Sequence, residues 1–134
     1  TIERRPSFRF PMWRIDFDPL ERRLGLRLAD EVSLGSMREL ARAHAEALEA
    51  TGGIEFSVMV DLRGMIPLDD DSVRLFADVK RVAASMPRFR AMALLVDSPT
   101  VAMQQQRTQI PRGPTGARDV ITFDQVEAER FLLG

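Results

Sequence analysis

Cysteine and tyrosine are absent from this sequence of 134 residues, which has a single histidine, His44, and a single lysine, Lys80. Without cysteine there are no disulfides, no thiolate nucleophiles and no cysteine-ligated metal centres. One histidine excludes every metal site that needs several imidazole ligands. No glycine-flanked nucleophile and no paired acid and base are recognisable. We therefore expect a protein that is not an enzyme and that needs no cofactor or metal.

Charge and hydrophobicity are balanced along the chain. The 19 basic residues nearly cancel the 20 acidic ones, so the net charge of −1 gives no global reason to expect nucleic-acid binding. The apolar runs are strand-sized, far from the ~20 residues of a membrane helix. The first ten residues also lack the apolar segment of a signal peptide. We expect one cytoplasmic domain over residues 1–134, without stable membrane insertion.

Hydrophobic periodicity predicts strands that alternate with helices. Leu24, Leu26 and Leu28 recur with a period of two, which indicates a half-buried strand in an initial hairpin. The apolar run at 91–96 predicts a strand covered on both faces. The expected strands lie near 13–17, 22–28, 54–62, 91–96 and 119–123, and the third of the intervening helices is expected to reach about Gln109. The order ββαβαβαβα predicts an α/β fold with a single-layer, mixed, mostly parallel sheet of about five strands and four helices.

The core and the helix starts follow from the same patterns. Residues expected to share the core are Phe56, Val58, Val60, Met92, Leu94 and Val96 of two parallel neighbours, with Leu40, Phe76 and Val79 packed over them. Capping-box spacing predicts helix starts at Ser36, with Glu39, and at Asp124, with Glu127. Val126, Phe131 and Leu132 of the last helix are expected to face inward.

Three consecutive aspartates, Asp69, Asp70 and Asp71, precede Ser72 where the second helix is expected to begin. Acidic side chains stabilise the positive end of a helix dipole, so one capping residue with two solvated acids is the plain structural interpretation. Ligand sites in open α/β sheets lie beyond the carboxyl ends of the strands, so an interaction surface is the functional alternative. A Mg²⁺ site is a third alternative, although consecutive side chains point in different directions.

His44 and a group of three arginines each allow a structural and a functional interpretation. His44 lies on the apolar stripe of its helix, which predicts a packing residue rather than a general acid or base. No acidic residue occurs between 98 and 118, whereas Arg107, Arg112 and Arg118 do. These arginines could form a patch for an anion or an acidic partner, or an ordinary solvated surface.

The first residues mix arginines with aromatic side chains. Such interleaving can bind nucleic acid, but the stretch is short and acidic residues dilute it. We expect residues 1–10 to form an arm or an extra strand. Packing of Phe8, Phe10 and Trp13 against a second copy would give a homodimer.

The stretch 56–72 resembles the core signature of STAS domains of the anti-sigma-factor-antagonist type. That family has an aspartate at the end of a central strand and another eight residues later, and Asp61 and Asp69 keep this spacing. The resemblance extends over about residues 13–133 and implies a STAS-like fold and a non-enzymatic regulatory module with a protein partner. Related lipid-binding domains imply an alternative, a site for a small apolar or lipid-like ligand.

The chain departs from the family at the start of the second helix. There the family has a serine pair followed by glycine, and a partner kinase phosphorylates the first serine. Here Asp70 and Asp71 occupy the pair and Ser72 replaces the glycine. A serine kinase cannot phosphorylate a carboxylate, so the resemblance implies that Asp70 could mimic a permanently phosphorylated residue, with less charge than phosphoserine.

Overall fold

The computed structural model describes residues 12–134, which form one five-stranded sheet with four helices. The strands are β1 (Trp13–Asp18), β2 (Arg23–Leu28), β3 (Phe56–Asp61), β4 (Phe89–Leu95) and β5 (Asp119–Thr122); the helices are α1 (Leu34–Ala50), α2 (Asp70–Ala84), α3 (Pro99–Gln106) and α4 (Gln125–Leu133). The predicted order ββαβαβαβα is confirmed. The expected arm at 1–10, including Phe8 and Phe10, lies outside the described residues.

The sheet has the strand order β1-β2-β3-β4-β5, with β1 antiparallel to β2 and all other neighbours parallel. Each crossover moves one strand further in the same direction, and crossovers of the usual right hand then place α1, α2 and α3 on one face. Buried side chains of all three helices belong to one core cluster. Helix α4 covers the other face, where its Ala128 and Leu132 pack against Ala91 and Ala93 of β4. The expected mixed, mostly parallel α/β sheet is therefore confirmed.

The core lies between the central strands and the first three helices. Val58 is paired with Met92 and Val60 with Leu94 across β3 and β4, and all four side chains are buried. Their cluster also holds the remaining predicted members, which are Phe56, Val96, Leu40, Phe76 and Val79. The core prediction is confirmed.

Helix α1 begins three residues before the predicted start. Its N-cap is Ser33, whose Oγ accepts a hydrogen bond from the Ser36 backbone N–H at 3.1 Å. Val32 and Met37 occupy the positions of a hydrophobic staple around this cap, and both are buried in the core. The predicted cap at Ser36 is wrong because this staple places Ser36 inside the first turn.

The predicted N-cap of helix α4 is confirmed, but the predictions for Glu127 and Val126 are wrong. Asp124 accepts a hydrogen bond from the Val126 N–H at 2.9 Å. Glu127 does not complete a capping box, since its carboxylate accepts a hydrogen bond from the Thr122 hydroxyl instead. Leu132 is buried as predicted, whereas Val126 is 54% exposed, so its inward orientation is wrong.

Among the element ends that differ from the expected bounds, two have a clear local cause. Strand β3 starts at Phe56 rather than Ile54, because Gly52 and Gly53 adopt positive φ angles and prolong the turn after α1. Ile54 is consequently exposed. Helix α3 ends at Gln106 instead of about Gln109, and the Thr108 hydroxyl donates to a carbonyl of its last turn.

Candidate functional site

The segment Asp69–Ser72, called here the acidic helix start, follows the carboxyl end of β3. Asp69 is the N-cap of α2, and its Oδ1 accepts a hydrogen bond from the Ser72 backbone N–H at 2.8 Å. This backbone hydrogen bond is the main reason that the pKa of the Asp69 carboxyl lies below its ordinary value. Ser72 is fully buried beneath the acids. One of the three aspartates therefore serves as the cap.

The other two aspartates are exposed in the first turn of α2. Asp71 forms an ion pair with Arg74, but both side chains are largely exposed and such pairs contribute little to stability. Asp70 makes no ion pair with any residue in 12–134. The structure thus brings the predicted residues together and leaves the carboxylate of Asp70 without a cationic partner in the described chain.

The loop before the acidic helix start is tied to neighbouring loops. The Gly64 N–H lies 3.0 Å from each carboxylate oxygen of Asp97, which lies two residues after the end of β4. The Gly64 carbonyl accepts from the Asp30 N–H at 3.0 Å, and the Asp30 carbonyl accepts from the Ile66 N–H at 2.9 Å. Gly64 has a φ of 81°, a conformation that glycine adopts without strain. Loops from three strands are therefore joined here.

The residue before the N-cap is held by a side chain of α3. The Leu68 N–H donates to Gln104 Oε1 at 3.0 Å, and Gln104 Nε2 donates to the Leu68 carbonyl at 2.7 Å. An amide side chain can pair with both backbone groups because it carries a donor and an acceptor. Sequence reasoning missed this residue, since Gln104 lies 36 positions from Leu68 and no spacing marks the contact.

Asp61 ends β3 as an ion-paired carboxylate. Burial raises its pKa, but hydrogen bonds from Arg63 and the charge of Arg27 outweigh that effect and hold the pKa below its usual value. The Arg63 Nη2 lies 2.9 Å and the Arg27 Nη1 3.1 Å from its carboxylate oxygens. The carboxylate that the STAS resemblance singled out is thus already neutralised by two arginines of the same chain.

The three arginines of the expected basic patch differ in their surroundings. Arg118 packs over the Phe89 ring, 4.8 Å from its centroid, and donates to the Ala84 carbonyl at 2.7 Å. Arg107 caps the end of α3 and is exposed, as is Arg112. Part of the charge of Arg118 is therefore engaged inside the fold, and the anion-binding role of the three arginines stays a prediction.

His44 is buried in α1, with 2% of its surface exposed. Burial lowers its pKa to about 4, so the imidazole is neutral at pH 7. The predicted packing position is confirmed.

Trp13 lies in β1 and packs against the core of its own chain. The structure therefore accounts for much of its apolar surface without a second copy. The expected homodimer stays a prediction.

No protein-family model matches the chain, and a search of curated proteins found no relative. Within 12–134, no helix has the length and apolar character needed to cross a membrane. The same residues contain no group of three or more histidine and carboxylate side chains placed to hold a metal ion. The candidate site therefore rests on the geometry of this chain alone.

Proposed function

We propose that this chain is a cytoplasmic, non-enzymatic regulatory module of the STAS-like kind, and that it contacts a protein partner through the acidic helix start. The observation that carries the proposal is the exposed Asp70 carboxylate, which has no ion-pair partner in the described chain. The confirmed element order and the spacing from Asp61 to Asp69 also support the resemblance.

The backbone around Asp70 is preorganised for recognition. Gln104 holds Leu68, the Asp69 cap holds Ser72, and Asp97 holds Gly64. A charge on a fixed backbone loses little conformational entropy when a partner binds it. The partner chemistry that fits is an arginine or lysine side chain, which forms charge-assisted hydrogen bonds with a carboxylate.

An apolar or lipid-like ligand, the alternative implied by the resemblance, has less support. One cleft within the described residues has a volume of about 130 Å³ and is lined largely by charged side chains. Pockets for such ligands are usually ~300–1,000 Å³ and mostly apolar. The cleft therefore does not favour this alternative.

Affinity purification with three versions of the chain tests the proposal. Asp70→Ser removes the charge at the acidic helix start, and serine is well tolerated where a helix begins. Asp78→Ser is the matched control, since Asp78 is an exposed aspartate further along α2. Quantitative mass spectrometry should find a partner whose recovery changes at least several-fold with Asp70→Ser and stays constant with Asp78→Ser.

The proposal would be contradicted if every captured protein were recovered equally with the parent and with Asp70→Ser, and if Asp69→Ala and Asp71→Ala also left recovery unchanged. Circular dichroism of each variant verifies that the fold is intact. The separate expectation of a homodimer is tested by sedimentation, where a single 15.1 kDa species at micromolar concentration would refute it.

A further inference from the structure

A cleft of about 130 Å³ lies at the amino ends of the parallel strands, on the sheet edge opposite the acidic helix start. Arg22 and Arg23 contribute from the start of β2, Arg90 from β4, and the last turn of α4 closes one side. We call this feature the basic cleft (Arg22, Arg23 and Arg90). The basic cleft shares no residue with the acidic helix start.

Arg23 has a buried donor without an acceptor. Its Nη1 donates to Glu129 Oε1 at 2.7 Å, and its side chain is only 19% exposed. The Nε atom is buried and has no hydrogen-bond partner among residues 12–134. Buried N–H groups in native proteins are nearly always hydrogen-bonded, so this donor is available to an acceptor from outside the described residues.

Arg90 has donors that the chain satisfies only weakly. Its two Nη atoms lie 3.4 and 3.3 Å from the Leu132 carbonyl, and its Nε lies 3.9 Å from Glu55 Oε2. These are long contacts compared with the ~2.7–2.9 Å of a charge-assisted hydrogen bond. The guanidinium therefore retains hydrogen-bonding capacity toward the cleft.

Arg22 is held at the cleft by its backbone. Its φ of 54° lies in the left-handed region, which is uncommon for a residue with a side chain. Its carbonyl accepts from the Ser57 N–H at 3.0 Å, and it makes no ion pair with the described residues. The Glu21 and Glu55 carboxylates also border the cleft, but both residues are exposed and neither comes closer than 3.9 Å to a cleft arginine in an ion pair.

We infer that the basic cleft binds a small phosphate-type oxyanion. Guanidinium groups match the oxygens of such ions with parallel hydrogen bonds, and one oxygen would satisfy the buried Nε of Arg23. The volume accommodates a group of this size but little more.

Titration of the full-length chain with inorganic phosphate at constant ionic strength tests the inference. Nuclear magnetic resonance of the backbone amides should show saturable shifts around β2 and β4 in the parent. Arg22→Gln and Arg90→Gln should each weaken binding at least tenfold. Arg38→Gln, which removes an exposed arginine of α1 outside the cleft, should leave the dissociation constant unchanged.

Arg22→Gly provides a second variant, because glycine accepts the observed φ without strain. It should fold as stably as the parent and yet lose phosphate binding. Shifts that never saturate, or that are equal in the parent and the cleft variants, would overturn the inference. Binding to vesicles containing phosphatidic acid without binding of free phosphate would also overturn it, since the site would then recognise a lipid surface.

Discussion

Lys80 offers the sharpest test of the packing between α2 and α3. Its Nζ donates to Gln105 Oε1 at 2.8 Å and to Thr108 Oγ1 at 2.9 Å, and the residue is 1% exposed. Burial lowers its pKa from 10.5 to about 8, although the nearby Asp119 carboxylate opposes that effect. The ammonium group is therefore harder to keep charged in the folded chain than in the unfolded one.

The direction of the pH effect follows from this difference. Between pH 8 and 10.5 the unfolded chain binds the Lys80 proton more strongly, so the free energy of unfolding rises as the pH rises through this window. At ~1.4 kcal/mol per pKa unit, the gain is about 3 kcal/mol. Cysteine and tyrosine are absent, so Lys80 is the only side chain whose ordinary pKa lies in this range.

Urea denaturation at pH 7.5, 9 and 10 measures this effect. The parent should gain most of that stability across the series, whereas Lys80→Met should show a nearly flat profile. Lys80→Arg is the matched control, because arginine stays charged throughout and cannot gain stability by losing its proton. A flat profile for the parent, or an equal rise in Lys80→Met, would refute the reasoning.

Three further changes test other parts of the fold. As the pH falls from 6.5 toward 4, unfolding should become easier by about 3 kcal/mol, because His44 is buried as the neutral form; His44→Leu should lack this component in acid denaturation. Val60→Asp should cost several kcal/mol by burying an unpaired charge, and melting within a degree or two of the parent would show that the β3 assignment is wrong. Gln104→Ala should lower the free energy of unfolding by about 1–3 kcal/mol and speed amide exchange at Leu68. Exchange unchanged from the parent would mean that the hydrogen bonds between Gln104 and Leu68 contribute nothing to stability.

The central strands were predictable because both sheet faces are covered. Along β4, Met92 and Leu94 point toward α1 and α2, while Ala91 and Ala93 point toward α4. Every position from Ala91 to Leu95 is then buried, which produces a continuous apolar run in the sequence. The small alanines on one side let α4 approach closely, and this detail follows from packing rather than from periodicity.

The contacts that organise the candidate site could not be predicted. Gln104 and Gln105 are adjacent in α3, yet one holds the backbone of Leu68 and the other holds the ammonium of Lys80. Both contacts join residues at least 25 positions apart. In the sequence the two glutamines indicate only a polar helix face, because periodicity reports burial and not hydrogen-bond partners.

The two proposed sites are separated by β3, which explains why they carry opposite charge without interfering. The middle of the strand, Val58 to Val60, is apolar, whereas the charged residue Asp61 lies at its end. From Phe56 to Asp61 it spans about 17 Å at ~3.3 Å per residue, which exceeds a Debye length at physiological salt. Coupling between distant sites requires an element with two alternative arrangements, and a strand packed on both faces does not supply one. We therefore expect an oxyanion in the basic cleft and a partner at Asp70 to bind independently of each other.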